Sequence, residues 1–355
     1  AANPGVTLEQ LTETLKRTLG GAKRDSPVYS LIPGLAQQDW ETYIVVPEDF
    51  AEEVTLATQA KRVGDLEMHA LEVQGSEWEL EGLRQVGKAL SSLKAWSSAR
   101  RIWETVRTLN DDDGDAAVQL PTIYQRLGDL PKSEVALERA LKQFARDSSK
   151  RAELLALQGS NEKVLWTKEW EPVEGDDRRK TALVSAHLAR SIEAYEDGFR
   201  EDLNHFYSGL NALSLLQSKV DLAGALPDAW GSGFDDDAQA TAKLAELKQH
   251  LTLLSSTVRY SIERTRARLK AQDRRDVWTD VSWADYRCLT GARPESVGRA
   301  YRDALTGASE FNFDSVRKQL QMLDALAVKS ENVKAALREI EALEKTYGVT
   351  VTVGH

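Results

Sequence analysis

Apolar residues recur at steps of three and four along most of the chain, in runs of helical length. The clearest run lies between Arg179 and Gln217, where Leu188, Ile192, Tyr195, Phe199 and Leu203 share one helical face. Asn204 breaks it, and a second run starts at Phe206, Tyr207, Leu210, Leu213 and Leu216. The pattern predicts a helix, a tight turn and a second helix, with Tyr195, Phe199 and Tyr207 in the core. Further on, Leu244, Leu247, Leu251, Leu254, Val258 and Ile262 predict one long helix over 239–272. Asp235 to Asp237 stand at its start and Arg264, Arg266, Arg268 and Lys270 toward its end, the polarity that complements a helix dipole. Residues 277–311 predict another helical pair with Gly291 in its turn. Val316, Leu320, Leu323, Val333, Leu337, Ile340 and Leu343 predict a last helix near 314–346, followed by a short β-prone end at Val349 to Val353.

The first part of the chain is less regular. Thr7 and Gln10 form a capping box before Leu8, Leu11, Leu15 and Leu19, and Gly20-Gly21 ends that helix. Residues 22–40, with Pro27 and Pro33, read as loop, and Tyr43 to Val46 as one short strand or a buried extended segment. Asp49 is placed to cap a helix through Phe50, Val54, Ala57 and Ala60, with Gly64 ending or bending it. Residues 171–180 and Pro227 to Asp237 read as charged and Gly/Asp-rich connectors.

Between residues 80 and 147 the chain repeats itself. Ser133, Leu137 and Ala140 lie 34 residues after Ala99, Trp103 and Val106, the period of the tetratricopeptide repeat. Small residues let two helices approach while the large one fills the gap between them. Gly87 falls in the first helix of one copy and Gly128-Asp129 at the turn of the next. Pro121 departs from the pattern, so its helix either starts late or is kinked.

Ala194-Tyr195, Gly198-Phe199 and the segment Asn204 to Ala212, following such repeats, resemble the TRAF-binding, tetratricopeptide-rich regulatory region of apoptosis signal-regulating MAP kinase kinase kinases and its bacterial relatives. The resemblance covers roughly residues 80–345. Together with the periodicity it implies an all-α fold: a tetratricopeptide-like helical-repeat solenoid with a small N-terminal extension. The expected layout is 1–79 for the extension, 80–181 for tetratricopeptide-like repeats and 182–355 for the TRAF-binding-region-like repeats. The function it implies is a non-enzymatic protein–protein interaction scaffold or regulator in a signalling or defence-type pathway. A kinase Gly-rich loop, His-Arg-Asp and Asp-Phe-Gly are not found in the sequence. In that family the first helix of each repeat lines the partner groove. Carried over from Leu80 and Gly114, the groove positions include Arg84, Lys88, Ser91, Ser92, Thr122, Gln125 and Arg126. Three cations among neutral hydrogen-bonding groups suit an acidic peptide segment or a terminal carboxylate.

Composition narrows this further. The net charge of −10 argues against general nucleic-acid affinity, so no nucleic acid is expected as partner. The alternative reading, a nucleic-acid-binding helical repeat, rests on the six cations between Arg264 and Arg275, which Asp273 interrupts and no aromatic interleaves. A single cysteine, Cys288, allows no internal disulfide; with no apolar run of 18 residues and no basic-then-apolar leader, a cytoplasmic location is expected and no membrane. The five histidines show no metal-binding spacing, and no nucleophile–base pair stands out. His205 reads as a packed or capping residue and Cys288 as core. Asp111 to Asp115 around Gly114 lacks two of the oxygens of a calcium loop and reads as an exposed linker. Gly231-Ser-Gly233 lacks the third glycine of a dinucleotide loop, so no cofactor is expected. Asn211 is the exception on its apolar face: its amide is expected to cap or bridge backbone, or to contact a ligand.

Overall fold

A computed structural model describes residues 46–291 and 293–347. The helix expected at Leu8 to Leu19, the loop after it, Tyr43 to Val45 and the β-prone end lie outside the described residues. The described residues are all-α: sixteen helices, packed pairwise in the manner of a tetratricopeptide-type repeat array. The chain divides into two units between Ala136 and Leu137.

The N-terminal unit runs through α1 (Glu48–Gln59), α2 (Val63–Glu72), α3 (Glu79–Ser92), α4 (Trp96–Leu109), α5 (Gly114–Arg126) and the start of α6 (Leu130–Gln143). Asp49 sits inside the first turn of α1, behind the N-cap Pro47, rather than at the cap. The repeat signature is in the core: Ala99, Trp103 and Val106 are fully buried, as are Ser133, Leu137 and Ala140 of the second copy. Gly87 lies under the Trp103 ring, where a Cβ would stand 2.7 Å from ring carbon Cε2, so α3 and α4 close only over a bare backbone. α5 starts well before Pro121, with Asp113 as N-cap accepting from Ala116 N at 2.8 Å. Ser133 Oγ donates to the Pro121 carbonyl at 2.8 Å from a fully buried position. Ser133→Ala leaves a buried carbonyl short of that donor and should cost about 1–3 kcal/mol, read from the denaturant midpoint. A loss well under 1 kcal/mol would mean another donor replaces it.

The C-terminal unit, from Leu137, comprises the rest of α6 and α7 (Ser148–Trp170), α8 (Gly175–Val184), α9 (Ala186–Glu201), α10 (Phe206–Ala225), α11 (Pro227–Gly231), α12 (Asp237–Ala271), α13 (Val277–Leu289), α14 (Pro294–Leu305), α15 (Glu310–Ala325) and α16 (Ser330–Tyr347). α9 packs along α7 and against α10, which in turn meets α12 and α13; α14 and α15 both pack on α16. Gly159 allows the first of these contacts, since a Cβ there would stand 2.7 Å from the Tyr195 ring.

Several expectations are corrected here. The charged stretch after Trp170 is partly helical as α8, held by buried Ala182 and Leu183. The connector after Ala225 contains α11, started by Pro227 in its first turn. The last helix is two: Ala327 and Lys329, at φ 58° and 46°, turn the chain between α15 and α16. Leu203 is 55% exposed, because α9 ends at Glu201 before reaching it; Tyr207, in the first turn of α10, is 52% exposed rather than core; Tyr195 and Phe199 are buried as expected. The long helix α12 is a single helix capped by Asp236, which accepts from Gln239 N at 2.8 Å. No described helix is long and apolar enough to cross a membrane.

Candidate functional site

The expected groove residues of the N-terminal unit lie on α3 and α5. Arg84 Nε donates to Asp113 Oδ2 at 2.8 Å, and the guanidinium also holds Glu81. Lys88 pairs with Asp115 at 2.7 Å. The first two cations are therefore tied to carboxylates at and beside the start of α5. Asp113 is not the exposed linker residue expected: it is buried, caps α5 and anchors Arg84 in one position. Ser91 Oγ accepts from the Trp103 indole at 3.2 Å, and Ser92 Oγ donates to Ala89 O at 2.7 Å. Thr122 and Gln125 are partly buried and Arg126 is exposed, toward the other end of α5.

The C-terminal unit holds a cavity of about 850 Å³. Lys163, Thr167 and Trp170 line it from one face of α7, at helical steps of four and three. Tyr207 and Asn211 line it from α10, Trp278 and Asp285 from α13, and Gln319 from α15. Lys163 Nζ donates to Gln319 Oε1 at 2.7 Å and to Asn211 Oδ1 at 3.3 Å. Both amides are fixed from their other ends: Asn211 Nδ2 donates to Tyr207 O at 3.0 Å, and Gln319 Nε2 to Ser214 Oγ at 3.2 Å. Asn211 thus bridges backbone and also faces the cavity's ammonium. Desolvation lowers the Lys163 pKa to about 8, partly offset by the field of Asp285. Desolvation likewise raises Asp285 to about 6, opposed by the Tyr301 hydroxyl that donates to it and by Lys163. The Trp170 indole N–H is buried and has no hydrogen-bond partner. Its neighbour Trp166, ring centroids 5.6 Å apart, donates to Ala182 O at 2.9 Å.

The remaining sequence candidates have structural duties. His205 stands at the N-cap position of α10 with Nδ1 2.7 Å from Ser208 Oγ, and burial lowers its pKa. Glu201, four residues before it, pairs with Arg151 at 2.7 Å and not with this histidine. Cys288 is fully buried and its thiol is pushed up to about 12, chiefly by desolvation, so no thiolate forms near neutral pH. In the basic stretch after Arg264, Arg275 binds the carbonyls of Asp303, Ala304 and Thr306 at the end of α14, and Arg266 lies over the Trp283 ring. Sequence reasoning missed Lys163, Trp170 and Asp285; the signal within reach was Asn211, one polar residue on an apolar face.

Residues 95–216 match the tetratricopeptide repeats-sensor family. The matched repeat-sensor segment is about a third of the chain. It contains Lys163, Trp170 and Asn211, while Asp285 and Gln319 come from helices beyond it. No curated protein matches the chain. A repeat-sensor segment implies a repeat-mediated interaction or sensing role, and tetratricopeptide domains generally bind proteins.

Proposed function

We propose that this protein is a non-enzymatic sensing scaffold: a helical-repeat surface holds a protein partner, and the cavity of the C-terminal unit takes a small molecule that reports to it. The observation that supports this reading is the composition of the cavity wall. One side comes from the repeat-sensor segment and the other from α13 and α15, and the Lys163 ammonium joins the two through Asn211 and Gln319. A molecule bound there touches both sides and favours whichever arrangement fits it, which is the physical requirement for sensing. The resemblance of the Asn204 to Ala212 segment to the kinase regulatory region favours a signalling or defence-type pathway. Hydrogen exchange of the full chain against fractions of a deproteinised cell extract tests the sensing part. Protection is expected jointly in 163–170 and 278–289; no protection by any fraction would remove it.

The partner surface is the groove face that includes Arg84, Lys88, Ser91, Ser92, Thr122, Gln125 and Arg126. Glu81 and Asp115 occupy the same face and hold its first two cations, so an acidic segment of a partner has to replace them, and the contact is salt-sensitive. Lys88→Glu with Arg126→Glu should leave the melting temperature within about 1–2 °C, since both side chains are exposed, and weaken a copurifying partner at least tenfold. Unchanged affinity in the folded double variant would move the partner surface elsewhere.

A further inference from the structure

Away from the cavity, and independent of it, one histidine of the N-terminal unit has unusual surroundings. His69 and Glu72 lie one turn apart on α2, and Glu53 faces them from α1. His69 Nδ1 is 2.9 Å from Glu72 Oε2 and 3.8 Å from Glu53 Oε2, and one ligand atom of each residue lies within 4.8 Å of the other two. Both carboxylates therefore approach the same ring nitrogen. The imidazole is only 14% exposed, and its ring is fixed: Phe50 meets it edge-on at 5.7 Å, and Trp78 meets Phe50 at 4.8 Å. The glutamate side chains, 60% and 57% exposed, have room to adjust.

Two other histidines of the chain meet glutamates, and in both cases an arginine completes the contact. Glu162 and Glu169 approach His187 at different ring nitrogens, at 2.7 and 3.5 Å, and Arg190 pairs with Glu162 at 2.9 Å. Glu196, beside His250, pairs with Arg200 at 2.6 Å. At His69 that cation is missing: among the described residues neither Glu53 nor Glu72 meets a lysine or arginine at ion-pair distance. A proton on Nδ1 serves Glu72 and leaves Glu53, at 3.8 Å, beyond hydrogen-bond reach. One nitrogen and two carboxylate oxygens thus converge without a group that satisfies all three. A hydrogen joins two of them; a divalent cation joins all three.

Geometry and donor type narrow the ion. Two ligand atoms each about 2.1 Å from a zinc ion stand at most about 4.2 Å apart. The two contacts of Nδ1 fall inside that limit, and a rotamer change of an exposed glutamate brings the two oxygens inside it. Calcium and magnesium take oxygen ligands and gain nothing from the imidazole, whereas zinc takes both kinds. We propose that Glu53, His69 and Glu72 form a zinc-type divalent metal site that ties α1 to α2. The ion offsets two carboxylate charges that no arginine or lysine offsets, and three protein ligands leave one tetrahedral position for water. The third ligand, Glu53, lies 16 residues before His69 on the neighbouring helix, so only the fold brings the set together.

Calorimetric titration of the chelator-stripped full chain with zinc and with calcium tests this. Wild type should bind zinc in the micromolar range or tighter, and calcium at least tenfold more weakly. Glu53→Gln and Glu72→Gln change exposed side chains and should fold normally; each should weaken zinc at least tenfold, as should His69→Gln. His187→Gln should leave zinc binding unchanged, although that histidine also lies between two glutamates. Hydrogen exchange gives a second readout: zinc should slow exchange across residues 48–72 in wild type and not in Glu53→Gln. No zinc binding in the micromolar range would overturn the site. So would binding that is unchanged in Glu53→Gln, lost in His187→Gln, or unaccompanied by protection of 48–72, which would mark an adventitious ion only. Calcium bound more tightly than zinc would overturn the role of the imidazole. If His69→Gln does not fold, the two glutamate variants decide.

Discussion

Trp103→Ala should destabilise the N-terminal unit by about 3–5 kcal/mol, the cost of cutting a fully buried aromatic to a methyl. The ring is the filler of the first repeat. It lies over Gly87, where there is no Cβ to hold it off, and its indole N–H is satisfied by Ser91. Relaxation cannot refill the space easily, because the close approach of α3 and α4 is already set by the glycine. Denaturant unfolding, with hydrogen exchange read over residues 79–109, measures the loss. A cost under about 1 kcal/mol would mean that the repeat core is not built on this contact. The converse substitution, Gly87→Ala, places a methyl against the same ring and should destabilise as well.

Lys163→Met should stabilise the C-terminal unit near pH 7. The folded pKa of about 8 lies below the usual lysine value of 10.5, so the fold disfavours the charged form. A shift of that size corresponds to about 3 kcal/mol at pH values below 8. Losing the bonds to Asn211 and Gln319 takes back about 1–2 kcal/mol, leaving a net gain of about 1–2 kcal/mol. Between about pH 8 and 10.5 the unfolded chain holds a proton that the folded lysine has given up, so wild-type stability rises with pH there. The methionine variant lacks that rise. Asp285 acts with the opposite slope. Its folded pKa of about 6 lies above the ordinary 3.8, so the folded state holds a proton that the unfolded chain has lost, and stability falls as pH rises from about 4 to 6. Melting temperatures from pH 4 to 10.5 check both slopes. A methionine variant less stable than wild type at pH 7, with the alkaline rise intact, would show that the ammonium is not desolvated.

Much of the helical framework was legible because burial on a helix leaves a periodic trace. Ala99, Trp103 and Val106, the α9 stripe through Phe199, and α12 from Leu254 to Ile262 all point inward as the spacing requires. The trace fails where the backbone changes phase without a marked residue. Asp202 takes an extended conformation at the end of α9, and Leu203 then falls outside the stripe it continues in sequence. Ala327 and Lys329 adopt left-handed φ although neither is glycine, so the break between α15 and α16 carries no sequence signal. α8 is charged along its first turns and offers almost no apolar period.

The cavity was legible in one residue only. Asn211 stood out as polar on an apolar face, but its partner Lys163 lies 48 residues away, and Gln319 lies 156 from that lysine. No local pattern joins positions so far apart. On α7 alone, Lys163 and Trp170 look like an ordinary exposed lysine and a core tryptophan. Their meaning comes from the helices that close over them.

The indole of Trp278, which lines this cavity and is 41% exposed, offers the most direct measurement of whether the cavity is a binding site. Its signal in a nitrogen–proton spectrum of the full chain can be assigned by its absence in Trp278→Phe. With the active extract fraction the signal should move, while that of Trp166, buried and already bonded to Ala182, stays in place. A Trp278 signal that stays fixed under saturating amounts of a molecule that protects the protein elsewhere would contradict the account, because the ligand would then sit outside this cavity.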